Sequence, residues 1–286
     1  MTLICKHANM HVLGLISRKG GSGKTTLATT LAVLGEQTGL RSLLVDLDPQ
    51  GSSAAWWKAR DASTPPLVET RAGRLKEILD GAEGDGFDLV VVDARPSVER
   101  DVAHVASLAD LVLVPTRPAV FDLRAILGTL DIVREAACRA LIVLNACPPP
   151  RGAGEASVVV DARHALAAFG VTVAPVAIVN RSAFPAAALA GLSVNELEPG
   201  GKAAKETRAL WRAVEKELHH DGKANPGRGT GSKADPADTA RSGDNPRRAT
   251  GKGRPRSKYP GHDDQVARRG ADRIEVDGGR ETGADE

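Results

Sequence analysis

The segment LGLISRKGGSGKTTLATTLAVLG, residues 13–35, joins an apolar run to a glycine-rich turn and then to a helical pattern. Gly20, Gly21 and Gly23 leave little side chain on the turn, so its backbone N–H groups can wrap around phosphate oxygens. A helix is expected to begin at Lys24, and a helix N-terminus favours anions. The segment therefore predicts a phosphate-binding loop between a strand and a helix. A glycine-rich turn with chance lysines is the less favoured alternative.

The end of this loop matches the pattern G-x-x-x-x-G-K-S/T at Gly23, Lys24 and Thr25, but Arg18 stands where the first glycine is expected. Lys19 adds a second lysine just before the glycines. Lys24 is predicted to reach the β- and γ-phosphates of a nucleotide, and the Thr25 hydroxyl to ligate Mg²⁺. The predicted nucleotide-binding residues of the loop are Lys19, Gly20, Gly21, Ser22, Gly23, Lys24, Thr25 and Thr26.

Short apolar runs recur along the chain between patterns of helical length. The runs are HVLGLIS, RSLLVDLD, FDLVVVDA, DLVLVPT, ALIVLNA and GVTVAPV. Each is almost continuously hydrophobic and rich in Val, Leu and Ile, which is typical of strands buried on both faces of a parallel sheet. Alternating strands and helices predict an α/β fold, with a mostly parallel sheet flanked by helices. Ligands of such sheets bind at the carboxyl ends of the strands.

The composition changes near residue 220. Beyond it the large apolar residues are Tyr259, Val266, Ile274 and Val276. Such a segment buries too little apolar surface to offset the entropy of ordering it, so residues 221–286 are predicted to be a disordered tail rich in Gly, Pro and Arg. Residues 11–220 are predicted to form one nucleotide-binding domain, and residues 1–10 an N-terminal extension.

Charge and cysteine content narrow the class of protein. The formal net charge is +2, so bulk charge does not indicate a nucleic-acid-binding protein, and an anionic partner must meet local patches. The three cysteines lack a C-x-x-C spacing, which disfavours a metal cage or a disulfide framework and favours the cytoplasm. No apolar run reaches transmembrane length, and no stable membrane insertion is expected.

Three acidic residues lie at predicted strand ends near the loop. Asp93 closes the run LVVVD, where a second Mg²⁺ anchor belongs, although a lone Asp there is more often a turn or helix cap. Asp46 and Asp48 lie two residues apart in LLVDLDPQGSS and therefore point to the same side of an extended chain. One of them could hold the water shell of the metal, and the other could orient the attacking water.

Three segments together resemble the ParA/MinD group of P-loop ATPases. KGGSGKTT is similar to the group's deviant loop K-G-G-x-G-K-S/T, LLVDLDPQGS to its next segment, and FDLVVVDA to the strand that ends in its Mg²⁺-side Asp. The resemblance covers about residues 11–218 and is strongest to small plasmid-type partition ATPases. It implies a P-loop NTPase fold, ATP and Mg²⁺ as cofactors, and slow, partner-stimulated ATP hydrolysis.

The resemblance also implies individual roles. Lys19 is expected to reach across a homodimer to the partner's ATP, acting with Lys24 and Asp48 in catalysis. Asp46 is expected on the metal side with Thr25 and Asp93, and Asp48 is expected to orient the water. Asn145, at the end of ALIVLN, resembles an adenine contact, although an Asn after a strand is more often a turn former.

One motif departs from the group. D-S/T-P-P is usual after the strand that ends in the Mg²⁺-side Asp, whereas this chain has DARPS, residues 93–97. Ala94 replaces a hydroxyl and Arg95 replaces a proline. The loop that senses the γ-phosphate is therefore expected to be altered, together with the rate of hydrolysis.

Basic side chains form three candidate DNA contacts. DNA-binding members of the group use scattered surface cations, and Arg181 in VNRSAF matches such a position. The final helical pattern places apolar residues on one face and cations on the other, which fits sequence-independent phosphate contact or an ordinary solvated face. The cations proposed there are Lys202, Lys205, Arg208 and Arg212. In the tail, KGRPR with Arg254 and Arg256 resembles the R-G-R-P of AT-hook arms, and a charged linker is the alternative.

The leading functional hypothesis is a partition ATPase that dimerises with ATP, binds DNA non-specifically and segregates plasmid or chromosomal DNA. It would be cytoplasmic and nucleoid-associated, with a ParB-like centromere-binding adaptor as partner. One alternative is a MinD-like ATPase that positions a membrane or cellular cargo. The tail lacks the large apolar residues of a membrane-binding amphipathic helix, which disfavours the membrane version. The other alternative is a metabolic ATP-dependent enzyme of the same fold.

Overall fold

A computed structural model describes residues 10–96, 99–152 and 154–219. The predicted extension, except Met10, lies outside the described residues. The same holds for the predicted tail with Arg254 and Arg256. The division of the chain into extension, domain and tail therefore stays a prediction.

A six-stranded sheet, parallel throughout, forms the centre of the fold, with the strand order β3-β2-β4-β1-β5-β6. The strands are β1 (His11–Leu15), β2 (Ser42–Asp46), β3 (Leu67–Glu69), β4 (Leu89–Asp93), β5 (Leu111–Thr116) and β6 (Arg139–Leu144). Strands β2, β4 and β5 are buried at every residue. This burial explains their continuous hydrophobicity and confirms the predicted parallel α/β sheet.

Helices cover both faces of the sheet. They are α1 (Lys24–Gln37), α2 (Ser52–Ala59), α3 (Leu75–Gly84), α4 (Glu99–Leu108), α5 (Val120–Glu135), α6 (Ser157–Ala167), α7 (Ala183–Leu189), α8 (Val194–Leu197) and α9 (Lys202–Leu218). The predicted apolar face of α9 is confirmed, because Leu210, Trp211, Val214 and Leu218 are buried in a core cluster with Leu27 and Leu31 of α1. None of the described helices is long and apolar enough to cross a bilayer.

Two local predictions differ from the structure. GVTVAPV is not a strand: within it only Val173 forms an isolated bridge, to Ile142 of β6. The prediction was wrong because Pro175 cannot donate to a strand ladder, which limits pairing there. Conversely, the pattern missed β3, since three residues are too few to show a periodicity.

The register of the parallel strands places the candidate site. Asp46 of β2 pairs with Asp93 of β4, and Leu15 of β1 also pairs with Asp93. The two carboxylates and the loop after β1 therefore meet at the carboxyl edge of the sheet, where ligands of such folds bind.

Candidate nucleotide-binding site

The glycine-rich loop connects β1 to α1 and uses glycine where other residues would be strained. Gly21 has φ 69° and Gly23 has φ 92°, in the left-handed region that favours glycine. A Cβ on Gly23 would also lie only 2.1 Å from Asn145 Nδ2. Arg18, in place of the expected first glycine, is exposed, and its guanidinium pairs with Glu99 of α4 at 2.8 Å.

The N-terminus of α1 has the properties of an anion site. Its N-cap residue, Gly23, has no capping side chain, so no side chain there satisfies the backbone N–H groups of the first turn. Lys24 is nine-tenths buried beside them, with 7% of its surface exposed. Burial lowers the pKa of the Lys24 ammonium, and the charges of Asp93 and Asp48 oppose that shift. The loop thus brings N–H groups and a cation together, as predicted.

Asp93 is the most constrained acid of the site. Its Oδ2 accepts hydrogen bonds from Thr25 Oγ1 at 2.7 Å and Ser53 Oγ at 2.9 Å. Its Oδ1 is buried and has no partner among the described residues. Burial raises the pKa of Asp93 to about 6, although both hydroxyl hydrogen bonds lower it. A buried carboxylate oxygen without a donor, beside a threonine hydroxyl, fits a divalent cation.

Asp46 organises the segment that follows β2. Its carboxylate accepts backbone N–H groups from Asp48 at 2.9 Å, Ser53 at 3.1 Å and Ala54 at 3.2 Å. Burial raises the pKa of Asp46, and these hydrogen bonds offset part of the shift. Asp46 therefore holds the start of α2 next to Asp93, while its predicted contact with the metal side stays a prediction.

Asp48 lies on the turn between β2 and α2 and is only half-buried. Its Oδ1 accepts the Gln50 N–H at 3.0 Å, and its carbonyl accepts the Gly51 N–H at 2.8 Å. The turn is thus well determined, and the carboxylate stays accessible to water. This placement is compatible with the predicted water-orienting role.

The second lysine of the loop is paired within its own chain. The Lys19 ammonium forms an ion pair with Asp122 in the first turn of α5. The Lys19 side chain is 49% exposed, whereas Asp122 is buried. For Lys19 to reach a partner subunit, as predicted, it must first leave Asp122.

Asn145 lies directly after β6 and contacts the loop. Its N–H donates to the Thr116 carbonyl at 2.8 Å, and its side-chain Nδ2 donates to the Ser22 carbonyl at 2.7 Å. Both bonds are made to protein atoms, and the adenine contact stays a prediction.

Three site residues were missed by sequence reasoning: Ser53, Arg117 and Asp122. Ser53 is completely buried between Asp46 and Asp93. Arg117 follows β5 and donates from Nη2 to the Gly21 carbonyl at 2.9 Å. The position of Arg117 at a strand end was a usable signal, whereas Ser53 and Asp122 lie on helices and had none.

The departing motif after Asp93 has a structural place. Ala94 is buried, and its N–H donates to the Leu15 carbonyl at 3.1 Å. Arg95 pairs with Asp101 of α4 at 3.1 Å. Arg95 is therefore paired within its own chain, two residues after Asp93.

The predicted DNA-contacting cations differ in their exposure. Lys202, Lys205 and Arg212 are exposed on α9. Arg208 is half-buried and donates to Asn195 Oδ1 at 3.3 Å. Arg181 forms an ion pair with Glu206 at 2.5 Å. Three of these five cations are therefore exposed to solvent, and the other two are engaged by neighbouring side chains.

This arrangement suits a hard cation shared with phosphate. Mg²⁺ in proteins usually takes one or two carboxylates, with phosphates and water completing its shell. The adjacent hydroxyl of Thr25 and carboxylate of Asp93 match such a partial set in chemistry, and their role as ligands stays a prediction. Among the described residues, no group of three or more His, Cys, Asp or Glu side chains is placed to form a complete protein cage.

Comparisons with known proteins support a nucleotide-binding domain. A family model described as the CobQ/CobB/MinD/ParA nucleotide binding domain matches residues 13–207. A maintenance of carboxysome distribution protein A from Gloeobacter kilaueensis is 37% identical over 214 residues, which is 73% of this chain and 94% of the relative. The chromosome-partitioning ATPase Soj of Thermus thermophilus is 29% identical over 157 residues, 45% of this chain and 63% of the relative.

Solved structures share the fold. The septum site-determining protein MinD from Pyrococcus horikoshii, complexed with Mg-ADP, superposes with a TM-score of 0.60 at 16% identity. The match covers 75% of this chain and 100% of that chain.

Proposed function

The chain belongs to the CobQ/CobB/MinD/ParA family of nucleotide-binding domains, and from this premise we propose that it is a Mg²⁺-dependent ATPase switch that dimerises with ATP. One observation supports this most: the Thr25 hydroxyl at the start of α1 lies 2.7 Å from Asp93 at the end of β4. Loop, helix terminus and strand acid therefore converge where a nucleotide-bound metal would sit.

Each residue at the sheet edge has a distinct role in this proposal. Bound Mg²⁺ neutralises part of the phosphate charge. Thr25 and Asp93 hold the cation, with Asp46 on the metal side, while the loop N–H groups and Lys24 bind the β- and γ-phosphates. Asp48 orients the attacking water, because its carboxylate is accessible and its turn is well determined.

The dimer depends on Lys19. A triphosphate keeps negative charge that one lysine and Mg²⁺ do not cancel, and a cation from a second subunit can stabilise the charge that develops during hydrolysis. The Lys19 side chain is half-exposed and forms an ion pair with Asp122. It can therefore exchange Asp122 for the partner's phosphates, which makes ATP a part of the dimer interface.

The catalytic assignment is tested with Lys24→Ala. Removing the buried loop cation should abolish binding of Mg-ATP, measured by titration calorimetry, and with it hydrolysis. The control Lys76→Ala removes an exposed lysine that pairs with Asp80, and this variant should bind Mg-ATP normally. Unchanged ATP affinity in Lys24→Ala would contradict the whole site assignment.

The dimer assignment is tested with two further variants. Lys19→Ala should retain ATP binding by a single subunit but fail to dimerise and hydrolyse. Asp48→Ala should bind ATP and accumulate as a dimer, because it lacks only the water-orienting carboxylate. Light scattering with ATP separates the two outcomes, and a Lys19→Ala protein that dimerises and hydrolyses normally would exclude the role in trans.

We extend the proposal to non-specific DNA binding and segregation of plasmid or chromosomal DNA with a ParB-like adaptor. Support comes from the exposed cations of α9, Lys202, Lys205 and Arg212, which offer sequence-independent contacts to phosphates. The partition ATPase Soj among the relatives points the same way. The protein would then reside on the nucleoid.

A second candidate function is the positioning of a cellular body. The relative from Gloeobacter kilaueensis, described as a carboxysome distribution protein, favours it. The apolar face of α9 is buried in the core, so this helix is not available as a membrane anchor. Deleting the gene discriminates the two: loss of plasmid or chromosome supports segregation, whereas clustering of an intracellular body with stable DNA inheritance supports positioning.

A further inference from the structure

Two side chains donate to consecutive carbonyl groups of the phosphate loop. Arg117 Nη2 lies 2.9 Å from the Gly21 carbonyl oxygen, and Asn145 Nδ2 lies 2.7 Å from the Ser22 carbonyl oxygen. The donors come from the ends of neighbouring strands, β5 and β6. The loop is therefore tied to the sheet edge at two successive peptide units.

These bonds determine where the loop N–H groups point. In a planar trans peptide unit, the carbonyl oxygen and the following N–H point in opposite directions. A Gly21 carbonyl directed at Arg117 turns the Ser22 N–H away from Arg117. A Ser22 carbonyl directed at Asn145 likewise turns the Gly23 N–H away from Asn145. Two of the donors needed for phosphate are thus oriented before any ligand arrives.

The hydrogen bond between Asn145 and Ser22 is constrained both at Asn145 and at the loop. Asn145 is buried, with 7% of its surface exposed, and its own N–H is bound to Thr116. The Ser22 carbonyl can only accept, so the amide nitrogen must face it. The contact also requires a glycine at position 23, where a Cβ would lie 2.1 Å from Nδ2.

We propose that Asn145 and Arg117 are positioning residues that preset the phosphate loop for a triphosphate, whatever base the nucleotide carries. This role differs from the adenine contact that the sequence resemblance suggested for Asn145. The proposal rests on the proposed function, since it assumes that phosphate binds at this loop.

The test compares three probes in titration calorimetry with Mg²⁺: ATP, GTP and inorganic tripolyphosphate, which has no base. In Asn145→Ala, the affinity for all three should fall by the same factor, about tenfold, as expected for one lost hydrogen bond to the loop. Asn145→Asp, which places an acceptor against the Ser22 carbonyl, should be at least as impaired. Asn195→Ala is the matched control, because it removes another buried amide, bound to Thr207 and not to the loop.

Several outcomes overturn the proposal. A loss confined to ATP, with tripolyphosphate unaffected, would show that Asn145 reads the base. A wild-type protein that binds ATP but not tripolyphosphate would show that the loop is not oriented for phosphate in the absence of a base. A wild-type protein that binds neither would instead overturn the proposed function itself.

Arg117 keeps the proposal testable if Asn145 variants do not fold, because Arg117 is exposed. Arg117→Gln should weaken tripolyphosphate binding several-fold, and the loss should persist at high salt, where long-range charge effects are screened. Arg124→Gln removes an equal charge from the exposed surface of α5 and should have little effect. If both variants lost the same affinity for tripolyphosphate, and both losses disappeared at high salt, Arg117 would act through its charge alone. That result would exclude a positioning role.

Discussion

At the scale of single residues, Asp93 and Lys19 are both held in conditions that a ligand would change. Asp93 is buried, with one oxygen bound to two hydroxyls and the other without a donor among the described residues. Lys19 is held by a buried carboxylate, Asp122, of its own chain. For Asp93 the expected consequence is that Mg²⁺ binding depends on pH. For Lys19 it is that dimerisation depends on Asp122.

Binding of Mg²⁺ should depend on pH through Asp93. Its pKa is raised to about 6 by burial, so the carboxylate becomes neutral as the pH falls through that value. Mg-ATP affinity should therefore decrease between pH 7 and pH 5, and calorimetry in this range measures it. Because the folded pKa is above the ordinary value, ionised Asp93 costs stability without Mg²⁺. That cost should start to decrease as the pH falls below about 6 and should be absent only below the ordinary aspartate pKa. A Mg-ATP affinity independent of pH would contradict the assignment.

Freeing Lys19 should favour the dimer. Asp122→Asn removes the charge that holds Lys19 in its own subunit, so dimerisation should occur at lower ATP concentration than in the wild type. Light scattering across an ATP titration measures the midpoint. Asp131→Asn is the control, since it alters an exposed pair with Arg134 further along α5. A weaker dimer in Asp122→Asn would indicate that Asp122 supports the interface and does not restrain it.

At the scale of elements, the start of α2 joins the two acids of the site. Ser53 donates its N–H to Asp46 and its hydroxyl to Asp93, so this helix holds β2 and β4 in contact at their carboxyl ends. Helix α9 divides its faces differently, with an apolar face in the core and cations on the solvent side. Helix α2 therefore positions the two acids, whereas α9 presents cations to the solvent.

The solvent face of α9 should carry non-specific DNA affinity. Lys205→Gln and Arg212→Gln each remove an exposed cation and should weaken binding to all DNA sequences alike, while lowering the dependence of affinity on salt by about one ion per residue. Fluorescence anisotropy with ATP over a salt series measures this slope. Lys58→Gln, on α2, is the matched control for charge. An unchanged slope in both α9 variants would place the DNA surface elsewhere.

At the scale of the whole molecule, Arg60 connects distant parts of the chain. Its guanidinium, almost fully buried, donates to the Gly191 carbonyl at 3.0 Å and pairs with Glu196 at 2.7 Å, while it stacks over the Trp56 ring. Trp56 itself donates to the Leu192 carbonyl at 3.0 Å. These contacts fix α7 and α8 against α2 and thus against the nucleotide site.

Breaking this connection should destabilise the fold. Arg60→Ala leaves Glu196 without its cation and should cost about 3 kcal/mol of unfolding free energy, measured by urea denaturation. Arg74→Ala removes an exposed arginine and should leave the denaturation midpoint nearly unchanged. A midpoint of Arg60→Ala equal to that of the wild type would show that the pair is dispensable.

The same pair should make stability depend on acid. Burial alone would raise the pKa of Glu196, but the hydrogen bonds from Arg60 and Ser193 and the Arg60 charge outweigh it and lower the pKa. Its contribution is therefore complete above the ordinary glutamate value and is lost as the pH falls through the lower, folded value. The stability difference between the wild type and Glu196→Gln should shrink over that acidic range.

The sequence by itself determined the phosphate loop, the positions of the main strands along the chain and the placement of Lys24, Thr25 and Asp93 at the end of a loop or strand. These features depend on near neighbours: glycines that allow positive φ, apolar runs of strand length, and a helix that begins directly after the loop. Parallel strands then bring their carboxyl ends to one edge without further information.

Only the tertiary structure decided the contacts that cross long stretches of chain. Ser53 reaches Asp93 across 40 residues, and Asn145 reaches Ser22 across 123. The pairings of Lys19 with Asp122 and of Arg181 with Glu206 belong to the same class. No periodicity encodes such contacts, because they depend on how helices pack on the sheet and on which buried polar groups then need partners.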